Sequence, residues 1–311
     1  MSIYVFKRAA FTLVTFVVVV SATFFLLRIA PGGPFDSERQ LPPEVEANLL
    51  AAYHLDEPLY LQYLRYMGNL VRFDLGPSIK QHDFTVSELI AAGLPVSLCL
   101  GALALLIALT TGVAIGSFAA FRHNSWLDRC LSATTTLGLA LPPIVTGPLL
   151  VLLFAVTLRW LPAGGLDSYL SFVLPSVALA LPLAAAIAKL VRGACIEVMD
   201  QPHVTTAKAK GISNVRLAFH HVLPAGMIPI LSFLGPASAA LLVGSLVIEE
   251  VFALPGLGRY FVQGALNRDY TLVMGGVVVY ALLILILNFV VDLVYVRLDP
   301  RIRIEDQAAA S

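Results

Sequence analysis

The chain has 311 residues, of which 58% are hydrophobic and only 13% are charged, and its mean hydropathy is +0.85. Soluble domains carry about 25% charged residues, so this composition excludes an ordinary water-soluble globule. The formal net charge is zero, and the three cysteines form no C-x-x-C pair, which excludes a disulfide framework and a cysteine zinc site.

Six long uncharged runs divide the chain. They cover residues 9–27, 89–121, 130–158, 168–188, 222–248 and 270–291. About 20 apolar residues cross the hydrocarbon of a membrane, and backbone groups in lipid must pair within their own segment, so runs of this length favour helices. The sequence therefore predicts an all-α membrane protein with six transmembrane helices. The first helix is expected to remain uncleaved, and Pro95 is expected to start the second helix.

The basic residues are unevenly distributed between the two sides of such a protein. If the N-terminus lies inside, 12 of the 20 Lys and Arg residues fall on the inner segments, which are shorter in total than the outer ones. Basic residues concentrate on the cytoplasmic side of membrane proteins. Both termini are therefore predicted to be cytoplasmic, and the zero net charge divides into a basic inner and an acidic outer surface.

The segment 31–93 is the largest outer piece, and it predicts two short amphipathic helices. One begins at Pro42 and Pro43. The other follows Pro58, and its apolar stripe consists of Leu59, Tyr63, Met67 and Leu70. Thr85 and Glu88 stand three residues apart, the spacing of a capping box, just before the second membrane run.

The segment 189–221 is a long basic loop on the predicted inner side. Connections usually have about 4–6 residues, and longer ones tend to be functional. Residues 204–210 predict a short helix, Gly211 a left-handed end, and Ser213 or Asn214 the cap of a second helix through Phe219. One apolar face is predicted to combine Val204, Ala207, Ile212, Val215 and Phe219. The loop is either a solvated connection or a docking element for a cytoplasmic partner.

Prolines and glycines in the predicted spans are candidates for a pathway or hinge, because an interior proline removes a helix hydrogen bond. The candidates are Pro142, Pro143, Gly235 and Pro236. The alternative is that they have no special role, since both residue types are common in membrane helices.

Charged residues near the predicted outer surface are candidates for an external mouth. Glu249 and Glu250 end the fifth run, and Arg268 and Asp269 precede the sixth. The glutamates could meet an incoming ligand or an external protein, or they could simply mark the membrane interface.

The sequence contains no catalytic pattern. It lacks G-x-x-x-x-G-K-[ST], the loop that holds nucleotide phosphates. His203, His220 and His221 have no carboxylate at a fitting spacing, so we expect no metal site. The sequence shows neither a Ser/His/Asp constellation nor a pair of catalytic carboxylates, so we do not expect an enzyme. A gradient-driven transporter would place ionisable residues in several spans, whereas these runs are nearly free of charge.

The loop also carries a recognisable motif. It resembles the EAA loop of ABC importer membrane subunits, whose pattern is E-A-A, three residues, Gly, nine residues and I-x-L-P. Thr205-Thr206-Ala207 takes the place of E-A-A, and Gly211 and Leu223-Pro224 keep the spacing. His221 replaces the isoleucine. The missing acidic residue is a departure seen in the peptide branch of the family.

Further motifs extend the resemblance over nearly the whole chain. They occupy residues 30–35, 74–78, 254–258, 266–270 and 299–303. Together they are similar to the peptide and nickel branch of ABC importer permeases, with the greatest likeness to the B-type subunit of oligopeptide importers.

This resemblance implies a type I ABC importer fold and an ATP-driven import of peptides. The partners would be a second, related permease subunit in a heterodimer, two ATPase subunits that hold ATP and magnesium at the cytoplasmic face, and an external binding protein. The chain would bind no cofactor and no nucleic acid, and it would lie among the lipids of the bacterial inner membrane. Dipeptides, nickel or another small solute remain alternative cargoes.

The resemblance also assigns roles along the chain. The ATPase-coupling loop would consist of Thr205, Thr206, Ala207, Lys208, Ala209, Lys210, Gly211, Leu223 and Pro224. Residues 1–94 would form the first span with the external segment, 95–300 a five-helix core with the loop at about 189–221, and 301–311 a cytoplasmic tail.

Overall fold

The computed structural model describes residues 2–30, 33, 42–81 and 83–298, and this part of the chain is helical apart from loops and an isolated bridge between Pro77 and Thr85. Its α-helices are α1 Ser2–Ile29, α2 Pro43–Ala52, α3 Leu59–Val71, α4 Val86–Phe121, α5 Trp126–Ala140, α6 Pro143–Leu150, α7 Val173–Met199, α8 Pro202–Ala209, α9 Asn214–Leu217, α10 Leu223–Gly226, α11 Ile228–Val251, α12 Leu257–Leu266 and α13 Tyr270–Leu298. π-Helical turns cover Val151–Thr157 and Ala218–Val222, and a 3₁₀ turn covers Tyr169–Phe172.

Four helical segments of the described chain are each long and apolar enough to cross a membrane. They are Val5–Ile29, Val86–Phe121, Tyr169–Met199 and Tyr270–Val294. Two bent pairs, Trp126–Ala140 with Pro143–Thr157 and Asn214–Gly226 with Pro229–Ala239, raise the number to six if each pair is one span. The predicted all-α, six-span architecture is confirmed in this sense.

The third span is broken at Pro142-Pro143, two of the candidate hinge residues, and the break is sharper than a kink within the single helix predicted over 130–158. The direction of the chain changes by 104° between its two helical halves. Leu141 and Pro142 adopt extended backbone conformations between α5 and α6. Proline disfavours a helical conformation in the residue before it and cannot donate a backbone hydrogen bond. The pair Pro142-Pro143 therefore ends α5, and Pro143 starts α6.

The second span begins earlier than predicted. The Thr85 N–H donates to Glu88 Oε2 at 2.8 Å, and the Glu88 N–H donates to Thr85 Oγ1 at 3.2 Å. This is the predicted capping box, and it starts α4 at Val86. The expectation that Pro95 starts this helix is wrong, since Pro95 lies inside α4.

The described chain divides into two compact units by its contacts. One unit contains Met1–Ser97 and Pro255–Leu285, and the other contains Leu98–Leu254 and Ile286–Ser311. The division of the sequence into 1–94, 95–300 and 301–311 stays a prediction. Motif 299–303, the tail, and positions 31, 32, 34 and 35 of motif 30–35 lie outside the described residues.

In the first unit, helix α3 packs on the apolar helices α1 and α13. Val20 and Phe24 of α1 form a buried cluster with Met274 and Val278 of α13. Partly buried residues of α3 cover this cluster: Tyr63, Tyr66, Met67 and Leu70. The predicted apolar stripe of α3 is thereby confirmed except for Leu59, which is exposed. Helix α2 forms where predicted, and the side chains of Val45 and Leu49 lie outside the described part.

A polar contact fixes α3 on α1 in the same unit. Arg28 Nε donates to Gln62 Oε1 at 2.8 Å, and the Arg28 guanidinium lies 3.6 Å from the centre of the Phe24 ring. The Gln62 amide in turn donates to the carbonyl oxygens of Leu55 and Glu57. The loop before α3 is therefore tied to the end of α1.

In the second unit, α7 is the central helix, and α5, α6, α10 and α11 pack against it. Helix α7 continues to Met199, so the first eleven residues of the predicted loop 189–221 are helical. Its buried face includes Ala188, Val191 and Cys195, which continue the apolar pattern of the membrane run into this helical extension.

Candidate functional site

The loop motif forms a short helix that is joined closely to α7. Only Asp200 and Gln201 separate α7 from α8, and Pro202 occupies the first turn of α8, where its missing N–H costs nothing. Gly211 has a φ of +75°, and its N–H donates to the Lys208 carbonyl at 2.9 Å. The predicted short helix and its left-handed glycine end are confirmed.

Helix α8 is held by two apolar side chains and exposes the rest. Val204 is fully buried and Ala207 nearly so. The exposed residues of the motif are Thr205, Thr206, Lys208, Ala209, Lys210 and Gly211. Helix α8 and the turn after it therefore present a polar surface with the ammonium groups of Lys208 and Lys210. The buried side chains of Val204 and Ala207 hold the helix on the rest of the protein.

The segment after Gly211 does not continue the predicted apolar face. Val215 and Phe219 are 69% and 65% exposed, whereas Leu217, Ala218 and Val222 are buried. The prediction failed because the left-handed turn at Gly211 resets the helical phase, and the π-helical turn 218–222 changes it again. Leu223 is half-buried and Pro224 is exposed, at the start of α10.

A wide groove lies beside this exposed apolar surface. It has a volume of about 990 Å³, and it is bounded by the second half of α4 and by residues 214–227. Phe118, Val215 and Phe219 contribute to its walls, and Arg122 and Lys208 are its charged residues. The surface next to α8 thus combines apolar side chains with basic groups.

Two of the candidate hinge residues meet at one cavity. Pro143 and Pro236 both line an apolar cavity of about 370 Å³ among α6, α7 and α11. Pro142 lies at the break of the third span. A Cβ on Gly235 would stand 3.2 Å from Asn288 and Val291, so this glycine allows α11 to approach α13. Their function as a hinge or pathway stays a prediction.

Asp269, a candidate for the external mouth, is only 1% exposed, and its carboxylate makes hydrogen bonds within the first unit. Its carboxylate accepts hydrogen bonds from the Leu272 N–H at 3.1 Å, which caps α13, and from the N–H groups of Ile79 at 3.2 Å and Lys80 at 3.1 Å. Ser78 Oγ and Thr271 Oγ1 also bond to it. Asp269 therefore joins motif 266–270 to motif 74–78.

The other three candidates for the external mouth differ in exposure. Glu249 is fully buried, and Glu250, the next residue of α11, is exposed. Arg268 is exposed at the end of α12, with a φ of +56°. The glutamates belong to the second unit, and Arg268 and Asp269 belong to the first.

Comparison with known families assigns the chain. Residues 112–304 match the family model described as the binding-protein-dependent transport system inner membrane component. The chain belongs to this family. The match includes α8, Gly211 and the Leu223-Pro224 pair, which carry the loop motif. It also confirms the resemblance to ABC importer permeases.

Relatives of this inner membrane component match nearly their full length. The oligopeptide transport system permease protein OppB of Haemophilus influenzae is 45% identical over 302 residues, which cover 96% of this chain and 99% of that protein. OppB of Escherichia coli K12 is 42% identical over 96% of this chain and 99% of that protein. The dipeptide transport system permease protein DppB of Bacillus subtilis is 41% identical over 304 residues, or 98% and 99%.

Solved structures share the fold of this inner membrane component. An inward-facing structure of the MetNI methionine ABC transporter superposes with a TM-score of 0.60 at 18% identity, over 68% of this chain and 96% of that one. A crystal structure of an amino acid ABC transporter gives 0.51 at 21% identity, over 68% and 94%. The fold is that of a type I ABC importer transmembrane subunit, and the chain is a multi-pass protein of the bacterial inner membrane.

Proposed function

We propose that this chain is the permease subunit of an ATP-driven importer that moves peptides, and oligopeptides in particular, into the cytoplasm. The observation that carries the proposal is the 45% identity to an oligopeptide permease over 96% of the chain. The dipeptide permease of Bacillus subtilis, at 41%, supports dipeptides as the second candidate cargo.

Both termini and helix α8 lie on the cytoplasmic side in this proposal. The basic residues support this orientation, because the shorter segments on that side carry 12 of the 20 Lys and Arg residues. The external segment with α2 and α3 then faces the compartment from which a binding protein delivers the peptide.

The chain works with partners that supply energy and substrate. A second, related permease subunit completes the membrane pathway as a heterodimer. Two ATPase subunits hold ATP and magnesium, since the sequence here has no phosphate-binding G-x-x-x-x-G-K-[ST] loop. This chain contributes no catalytic residue, and its task is to convert the closure of the ATPases into movement of its helices.

Helix α8 is the coupling element in this mechanism. Its exposed residues, from Thr205 to Gly211, enter a cleft of an ATPase subunit, while Val204 and Ala207 fix the helix to its own chain. Exposed apolar side chains such as Val215 and Phe219 extend the docking surface, because apolar patches of this kind commonly mark protein interfaces. The two-residue link to α7 passes a displacement of α8 directly to a membrane helix.

The candidate residues away from the loop receive distinct roles. The break at Pro142 and Pro143, and the cavity that Pro143 shares with Pro236, are assigned to bending of the spans. Gly235 is assigned to the close packing of α11 on α13. At the external face, the exposed Glu250 and Arg268 are assigned to contact with the binding protein, whereas Glu249 and Asp269 support the structure around them.

Reconstitution tests the proposal. The chain is co-expressed with the second permease, the ATPases and the binding protein of the same organism, purified by a tag on this chain and placed in proteoliposomes. We expect the ATPases to co-purify and labelled pentapeptides to accumulate only with ATP and the binding protein. Uptake of dipeptides or nickel but not of pentapeptides would replace the proposed cargo. Uptake driven by a proton gradient without ATP would refute the importer itself.

A further inference from the structure

An ion pair with a buried carboxylate and a half-buried guanidinium joins α5 to α7 in the second unit. Arg192 Nε donates to Asp128 Oδ1 at 2.6 Å, and Arg192 Nη2 donates to Asp128 Oδ2 at 2.8 Å. The side chain of Asp128 is 3% exposed and that of Arg192 is 30% exposed. This is a two-pronged pairing of guanidinium and carboxylate, which fixes orientation as well as distance.

The same carboxylate also fixes the turn between α4 and α5. The Asn124 N–H donates to Asp128 Oδ2 at 2.9 Å, and the Asp128 N–H donates to Ser125 Oγ, the cap of α5, at 3.2 Å. His123 Nδ1 lies 3.4 Å from Asp128 Oδ2 and 3.2 Å from Arg192 Nη2. Three parts of the chain thus meet at one buried carboxylate: the turn, the first turn of α5, and α7.

Away from the ion pair, α4 is held on α7 by small residues. A Cβ on Gly116 would stand 2.4 Å from the Ala188 carbonyl oxygen, and a Cβ on Gly112 would stand 2.8 Å from the Ala184 carbonyl oxygen. The backbones of α4 and α7 therefore touch through a G-x-x-x-G pair, the usual means of close approach in membranes.

Helix α5 is held on α7 in the same way. A Cβ on Gly138 would stand 3.2 Å from the Ala185 Cβ. Gly138 lies ten residues beyond Asp128, so α5 contacts α7 near both of its ends. Immediately after this contact the third span breaks at 141–142.

Arg192 also stands close to the coupling element. It lies seven residues, or about 10 Å of helix, before Met199, where α7 ends, and α8 begins three residues later. A displacement of α8 therefore reaches Arg192 through two turns of continuous helix. Helix α5, which Arg192 binds through Asp128, is therefore expected to move together with α7.

We propose that α5, α7, α8 and the part of α4 from Leu98 to Phe121 move as one body during transport, and that Asp128 and Arg192 are the positioning residues that keep the α5 end of this body on α7. The inference rests on the proposed function of α8 as the coupling element. The break after Ala140 marks the boundary at which α6 can change its angle to this body.

An ion pair suits this task better than an apolar contact. Removing charges from water is expensive even when only the carboxylate is fully buried, so such a pair is weak evidence for added stability, and its best-attested use is to fix register. An apolar pair of similar size could slide along the helices, whereas the two hydrogen bonds of Arg192 to Asp128 allow a single alignment of α5 on α7.

A cross-link inside the body gives the sharpest test. In a complex whose Cys99, Cys130 and Cys195 are replaced by Ser, Gly138→Cys and Ala185→Cys place two cysteine Cβ atoms of α5 and α7 3.2 Å apart, slightly closer than the roughly 3.5–4.5 Å of a disulfide. Oxidation is expected to form the disulfide and leave ATP-driven peptide uptake unchanged. Uptake that is present in the reduced complex and lost on oxidation would show that α5 and α7 must separate, and would overturn the proposal. The single-cysteine variants control for effects of the oxidant.

Neutralising the pair tests the role of the two side chains. The double variant D128N/R192Q keeps hydrogen-bonding groups and leaves no uncompensated buried charge. We expect the purified complex to hydrolyse ATP while the amount of peptide transported per ATP falls at least about five-fold. The single variant R192K, which keeps a positive charge beside Asp128, should transport more peptide per ATP than the double variant. An unchanged peptide-to-ATP ratio in the double variant would refute the positioning role.

Failure of this inference is distinguishable from failure of the proposed function. If the unaltered complex and the reduced cysteine complex both lack ATP-driven peptide uptake, the proposed function is wrong. If both transport peptides and only the oxidised complex stops, the proposed function stands and the single-body proposal falls. The cysteine pair also keeps the inference testable if D128N/R192Q fails to assemble.

Discussion

The carboxylate of Asp269 accepts a hydrogen bond from the backbone N–H of Ile79 at 3.2 Å, across 190 positions of the sequence. The same side chain caps α13 through the N–H of Leu272. One buried carboxylate thus joins the loop before the second span to the start of the last span. Its role inside the protein explains why an acidic residue near the predicted outer surface is not exposed.

Removing this carboxylate should destabilise the first unit. In Asp269→Ala, the N–H groups of Ile79, Lys80 and Leu272 lose their acceptor, and we expect a loss of roughly 3 kcal/mol, because buried donors without partners and a missing helix cap each cost about 1 kcal/mol or more. Asp269→Asn keeps one acceptor oxygen and should lose less. Thermal unfolding of the purified chain in detergent measures the difference.

The neighbouring Arg268 supplies the control for this prediction. It is exposed, so Arg268→Ala should leave the unfolding temperature nearly unchanged. Equal effects of the Asp269 and Arg268 substitutions would contradict the structural role assigned to the carboxylate.

Local signals in the sequence predict local structure well. The Thr85–Glu88 capping box, the left-handed Gly211 and the apolar stripe of α3 are all predicted from patterns within a few residues, and they are confirmed apart from Leu59 of the stripe, which is exposed. Each depends on interactions between near neighbours in the chain. A single sequence contains that information.

Features that depend on tertiary contacts or on a change of direction were not predictable in the same way. Pro142-Pro143 marks the place of the bend after Ala140, but hydropathy counts residues along a run and does not report its direction, so the size of the bend, 104°, was not predictable. The pairing of Asp128 with Arg192 spans 64 positions, and no local pattern specifies it. The G-x-x-x-G spacing of Gly112 and Gly116 is a sequence signal of close helix packing, but the spacing alone does not specify α7 as the partner.

The conformation of Gly211 predicts a graded loss of transport. A Cβ at this position would meet nothing within 4 Å, so the cost of substitution comes from its φ of +75° alone. Asn tolerates this region, whereas a β-branched residue is strongly disfavoured. We expect Gly211→Val to lose most peptide uptake with normal membrane insertion, and Gly211→Asn to keep a large part of it. Uptake assays with quantification in the membrane fraction measure both. Full uptake in the Val variant would remove the coupling role of this turn.

Two glycines offer a matched test of the contact between α4 and α7. Gly116 faces the Ala188 carbonyl oxygen, whereas a Cβ on Gly193, in α7, meets nothing within 4 Å. Gly116→Ala must displace a helix backbone and should cost about 1–3 kcal/mol. Gly193→Ala should be neutral or gain about 0.5–1 kcal/mol from helix propensity. Thermal unfolding of the two variants, side by side, measures the contact. Similar melting temperatures would mean that α4 and α7 are not closely packed at Gly116.

The broken third span predicts a short distance between its two ends. Leu127 and Val156 are exposed, and they lie in the two halves on either side of Pro142. A straight helix would separate them by about 44 Å, whereas a 104° change of direction shortens this to about 26 Å. Spin labels on cysteines at these two positions, in a chain without its native cysteines, should report the short distance by pulsed electron paramagnetic resonance. Replacing both Pro142 and Pro143 by Ala restores a backbone donor at each position and should populate the long distance. A distance of about 44 Å between the labels in the span that keeps both prolines would contradict the bend. In that case α6 could not change its angle to the body formed by α5 and α7 in the way proposed.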